Sequence, residues 1–154
     1  MLVVSVLVVL VLGVAGAASA YWTGSGSGTG DGTSATTAPV TVSPGTATAN
    51  LYPGGTADVV LTVSNPNLSE VRIGSLALDT SQGAGGFGVD AGHSGCAVET
   101  FGFTDQTGAW TIPAKVGVVN GTLAVTLTNA LAMSLGAADA CQGATASVYL
   151  VAGP

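Results

Sequence analysis

Over most of the chain, apolar side chains recur at every second position. In "TADVVLTVSN", Val59, Leu61 and Val63 alternate with Val60, Thr62 and Ser64. That is the period of a half-buried strand, and Asn65-Pro66-Asn67 ends it. "EVRIGSLALD" starts with Val71 and Ile73 on one face and then moves to Leu76 and Leu78, which predicts a bulge at Gly74-Ser75. "ETFGFTDQTGAWTI" reads as a hairpin turning at Asp105 to Gly108, with Phe101, Phe103, Trp110 and Ile112 on one side. "TLAVTLTN" gathers Leu123, Val125 and Leu127, and "ATASVYLVAG" gathers Ala146, Val148 and Leu150. Between these two, "ALAMSLGAADAC" has helical propensity and predicts a short crossing between sheets. "SPGTATANLYPGG" is bracketed by prolines and predicts an edge strand. About seven short strands separated by turn signals imply an all-β protein: one antiparallel sandwich over residues 39–154. No internal repeat stands out.

The front of the chain follows another pattern. Residues 2–20 carry no charge, and "LVVSVLVVLVL" (Leu2 to Leu12) has the length of a signal-peptide apolar region. "ASA" at Ala18 to Ala20 offers the small side chains a signal peptidase needs, so cleavage between Ala20 and Tyr21 is expected. No Lys or Arg precedes Leu2, and a start upstream of Met1 would supply the missing charge. The alternative is retention as an anchor. Residues 2–20 as a helix would reach roughly 28 Å, enough to span, with Tyr21 and Trp22 at the interface. Residues 21–38 include "TGSGSGTGDGTSATTA", have no apolar period, and read as a flexible linker. The alternating glycines lack the preceding strand and following Lys of a phosphate loop.

Charge narrows the choice of partners. Two basic residues, Arg72 and Lys115, stand against eight acids in the 154-residue chain, a net charge of −6. Such a chain is repelled by phosphate backbones, which argues against nucleic acid. By net charge, anionic wall polymers and anionic lipid are disfavoured as well. Cys96 and Cys141 form an even set behind an export leader, so a disulfide is expected. It joins the loop before the expected hairpin to the start of the last strand.

"LYPGGTADVVLTVSNPN" (Leu51 to Asn67) resembles the opening of Ig-like and CARDB-like extracellular modules, where a Pro-Gly turn feeds a first core strand. "DAGHSGC" (Asp90 to Cys96), with "ADACQGATASVYL" (Ala138 to Leu150), is similar to small secreted proteins of high-GC Gram-positive bacteria. "SAYWTGSGSG" after the leader resembles the export junction of TasA/camelysin-type proteins, some of which build matrix fibres. Here a linker replaces the strand expected of that group. The resemblances imply an Ig-like sandwich at the cell surface, and they bring no catalytic residue with them.

Reactive chemistry is sparse. Asp90, His93 and Ser94 are neighbours on one Gly-rich loop, whereas a triad needs members converging from a rigid scaffold. One His and two paired Cys fall short of a zinc site. Asp79, Asp90, Glu99 and Asp105 show no spacing that marks a glycosidase pair. No calcium-loop motif occurs, so neither metal nor cofactor is expected. The sequons at Asn67 and Asn120 read as turn residues. No LPxTG-type sorting signal occurs. Two functions fit. One is a non-enzymatic surface or matrix module, self-associating through the edges at Pro39 to Leu51 or Ala144 to Val151. The other is a small carbohydrate-binding domain that uses Tyr52, Phe101 and Trp110. Either protein is secreted or at the cell surface, or membrane-anchored if residues 2–20 stay.

Overall fold

The structure is a computed structural model that describes residues 37–154. The leader, its cleavage point at Ala20-Tyr21 and most of the linker lie outside the described residues. Ten strands follow in order: β1 (Thr41–Val42), β2 (Gly45–Ala47), β3 (Thr56–Asn65), β4 (Val71–Leu78), β5 (Phe87–Val89), β6 (Phe101–Phe103), β7 (Gln106–Ile112), β8 (Gly121–Met133), β9 (Ala146–Val148) and β10 (Leu150–Gly153). Short 3-10 turns occupy Ala91–His93, Val98–Thr100 and Asp139–Cys141. Among the described residues, no helix is long and apolar enough to cross a membrane. All strand pairs are antiparallel and fall into two sheets packed as a sandwich. The larger sheet runs β5-β9-β2-β3-β8-β6, with β1 also on β3, and the smaller runs β10-β4-β7.

The period-two reading of β3 holds. Val59, Leu61 and Val63 are buried, and β8 answers them with Val125 and Leu127. Ile73 and Leu76 are both buried across the shift in β4, where pairing with β7 skips register between Ile73 and Ser75. The expected bulge is therefore present.

Three expectations need correction. The stretch from Phe101 to Ile112 is not a hairpin: β6 pairs with β8 in one sheet, and β7 pairs with β4 in the other. Thr104 and Asp105 carry the chain across. The Thr104 N–H donates to the Ala130 carbonyl (2.9 Å), and Asp105 Oδ1 accepts from the Leu78 N–H (3.2 Å). Phe101 and Ile112 thus enter the core from different sheets. The helical reading of "ALAMSLGAADAC" also fails in its first part, because β8 continues to Met133. Ala57 faces Leu131 while Val59 faces Leu127, so two extra residues of β8 loop out around Thr128 and Asn129. Asn129 takes the left-handed backbone (φ 51°), and its N–H donates to Asp58 (2.8 Å). A two-residue insertion leaves parity unchanged, so Leu131 and Met133 stay on the core face, and burial outweighs helix propensity. Third, the proline-bracketed segment is not an edge. β2 lies between β9 and β3, with Pro44 in the irregular step where β1 gives way to β2. There Ser43 Oγ accepts from the Thr62 N–H (2.9 Å).

The last predicted strand divides at Tyr149. β9 sits inside the large sheet, and β10 forms an edge of the small one. The Tyr149 backbone is held at the crossing by Gly86 and Asp79 (2.9 Å each). The edge strands of the large sheet, β5 and β6, come together inside the core. Phe87 of one and Phe101 of the other are 6.2 Å apart between ring centres. The large sheet is therefore strongly curled around its own apolar face.

Candidate functional site

The strand ends sort the loops into two groups. One end of the sandwich collects the segment after β5, the approach to β6, the exit of β8 and the approach to β9. Cys96 and Cys141 bond there and clasp loops 45 residues apart in sequence. Both sulfurs are buried, and Thr100, one turn after Cys96, accepts the Ser134 N–H at its carbonyl (2.8 Å). A disulfide suits an oxidising compartment.

Asp90 organises this end. Its carboxylate accepts from the Thr145 N–H (2.7 Å) and the Gly92 N–H (3.0 Å), and it faces His93 Nδ1 at 2.8 and 2.9 Å. With its proton on Nδ1, the imidazole donates to both carboxylate oxygens. The Thr145 N–H, followed by the His93 hydrogen bond, holds the Asp90 carboxyl below the usual carboxylate range. Asp79 is lowered in the same direction by the Gln82 amide and by Ser81, which cap its own turn.

Beside the disulfide opens a cleft of about 270 Å³, whose walls include Leu51, Tyr52, Met133, Asp139, Cys141 and Gln142. Its size suits a single ring or a short side chain more than a drug-sized ligand. Tyr52 stands at the rim, 70% exposed. Gly143 also lines the cleft, and His93 Nε2 approaches to 3.8 Å of the point where a Gly143 Cβ would lie.

The residues singled out in the sequence come together only in part. Cys96 and Cys141 are bonded. Asp90 and His93 pair, but among the described residues no hydrogen bond joins Ser94 to His93. Asp79 accepts from the Ser81 N–H in its own turn, Asp105 accepts from the Leu78 N–H at the end of β4, and Glu99 lies on the 3-10 turn beside a second hollow between β5 and β6. Among the described residues no group of three or more His, Cys, Asp or Glu converges as metal ligands would. The three aromatic rings do not form one platform. Phe101 is 6% exposed in the core, Trp110 is half-buried on β7, and Tyr52 alone is open.

Sequence reading missed Asn50, Asp139 and Gln142 on the cleft wall, because nothing but the fold brings positions so far apart together. It also read Asn65 only as part of a strand-ending turn. This buried side chain donates to the carbonyls of Ser69 and Pro113 (2.9 Å each) and accepts from both nitrogens of Asn67 (2.9 Å each). Asn67 and Asn120, the sequon residues, use their amides on Ala38 and Ser64.

Compared with known proteins, the chain matches no family model, no curated protein and no solved structure.

Proposed function

We propose that this chain is a non-catalytic, exported surface module that offers its disulfide-clasped end to an external partner. The observation that carries the reading is the division of the sandwich into two ends. The linker side enters at Ala38, whose backbone N–H and carbonyl both bond Asn67 (2.8 Å each). The clasped loops and the cleft lie at the other end of β3 and β8. A tether at one pole leaves the other free to make contacts, which is the arrangement display requires. The disulfide supports export, and the strand-rich core fits the Ig-like extracellular modules that the sequence resembles.

Catalysis gets little support from the Asp90–His93 pair. The carboxylate serves two backbone N–H groups as well as the imidazole, which is how a loop clamp is built, and among the described residues Nε2 makes no hydrogen bond and lies close to Gly143. Self-association by strand addition narrows to β10, an edge of the small sheet, and to the two-residue β1, which pairs with β3 alone, since β2 and β9 are already paired on both sides.

A second reading has one specific observation behind it. Tyr52 at the mouth of a cleft walled by Asn50, Asp139 and Gln142 is a combination suited to a sugar, a ring face beside amide and carboxylate groups. The experiment is a glycan array and a protein-binding screen on the oxidised protein, beside a hydrolase panel. Binding that Tyr52→Ala abolishes supports recognition at the cleft. Turnover that disappears in His93→Ala overturns the non-catalytic reading.

A further inference from the structure

The tethered end carries an unusual surface. Val116 and Val119 exchange backbone hydrogen bonds (2.9 and 3.0 Å), closing a tight turn over Gly117, whose φ is +59°. This turn projects Val116, Val118 and Val119 at 79%, 92% and 68% exposure. Leu68, 84% exposed, stands on the adjoining loop, which is joined to the turn where the Lys115 N–H donates to the Asn67 carbonyl (2.8 Å). Four branched apolar side chains on two joined loops form a projection, not a groove. Water offers no reason to keep them there.

Two further observations say what covers them. Both basic residues lie at this end, Arg72 at the start of β4 and Lys115 at the base of the valine turn, with Glu70 as their acidic neighbour. Asp58, Asp79, Asp90, Glu99, Asp105 and Asp139 lie toward the cleft end or on its loops. Net charge thus misrepresents this pole, which holds both basic residues of a strongly acidic protein against Glu70, with Asp31 in the linker upstream. The chain also enters here, Ala38 being bonded to Asn67 next to Leu68. Upstream stand the linker of residues 21–38 and the uncharged apolar segment of residues 2–20.

We propose that this end docks on a phospholipid bilayer bearing anionic headgroups. Val116, Val118, Val119 and Leu68 enter the interfacial layer, while Arg72 and Lys115 meet the headgroup phosphates. The acidic cleft end is repelled from the same surface and faces outward. The inference takes its compartment from the surface-module reading, but its test needs no cell, so the two can fail separately.

The test places an environment-sensitive dye on Val118→Cys or on Leu135→Cys in the full chain. Leu135 is 84% exposed, against 92% for Val118, but at the cleft end. The native cysteines are bonded and buried, so only the introduced thiol reacts. Each labelled protein is mixed with phosphatidylcholine vesicles, with or without phosphatidylglycerol, that carry a nitroxide lipid. The expected result is a blue shift and about twofold quenching at position 118, stronger with phosphatidylglycerol, and a water-like signal at 135. Because the upstream apolar segment enters at this end and could by itself bring position 118 nearer the vesicle, the labelled Val118→Cys protein is also made with Val116→Ser, Val119→Ser and Leu68→Ser, and a shift and quenching that survive these changes would overturn the docking proposal. Equal signals at the two positions would overturn the proposal. So would a shift at 118 that needs no lipid and grows with protein concentration, which would assign the patch to a second copy. Quenching at 118 that ignores phosphatidylglycerol would overturn the role given to anionic headgroups.

Discussion

Asn65 shows how much one polar residue can determine. It closes β3, lies fully buried, and ties the loop after its own strand to the end of β7 in the opposite sheet. No apolar side chain could satisfy the Ser69 and Pro113 carbonyls there. Asn65→Ala is expected to cost about 3 kcal/mol, because buried acceptors lose their donor. Chemical denaturation measures this, and a loss below about 1 kcal/mol would mean that water replaces the amide. Gly121 opposes Asn65 in register, and a Cβ there would run into the Pro113 carbonyl. Gly121→Ala should therefore destabilise by about 1–3 kcal/mol, read from the same denaturation curve. Asp90 acts through charge. Its folded carboxyl titrates below its unfolded value, so its contribution to stability is present above the usual carboxylate pKa of about 3.9. That contribution disappears as pH falls through the lower folded value. Thermal melts should change little from neutral pH down to mild acid and then drop. Asp90→Asn, which loses the charge at every pH, should show a shallower drop.

At the scale of elements, the disulfide and the strand partitions matter most. Closing a 45-residue separation constrains the unfolded chain by roughly 4 kcal/mol at most. Reduction should lower the melting temperature clearly, and an unchanged melt after full reduction would contradict the stabilising role. The strands with a plain period of two were legible in the sequence: β3, the first half of β8 and the shifted β4 needed nothing beyond alternation. What stayed hidden was which sheet each strand joins. Phe101, Phe103, Trp110 and Ile112 turn toward the core whether the chain folds back as a hairpin or crosses to the other sheet, so alternation alone does not separate the two arrangements. The Asn129 bulge was hidden for a similar reason: an insertion of two residues keeps parity, while Ala, Leu and Met suggest a helix. The cleft was illegible because Tyr52, Asp139 and Gln142 meet only through the ladder of β3 and β8 and the clasp of Cys96 to Cys141.

At the largest scale, the described residues form a sandwich with two unlike ends. The end where the linker enters holds Asn67, the exposed valines and both basic residues. The other holds the disulfide, the Asp90–His93 clamp, the cleft and most of the acids. The surface-module proposal gives this polarity a direction, with the cleft end outward. The most direct test is to treat intact cells making the full chain with Leu135→Cys with a membrane-impermeant thiol reagent, without reductant. The account predicts labelling at position 135 before lysis, with Cys96 and Cys141 unreactive. Labelling that requires lysis, together with reactive Cys96 and Cys141, would place the protein in a reducing interior and contradict it.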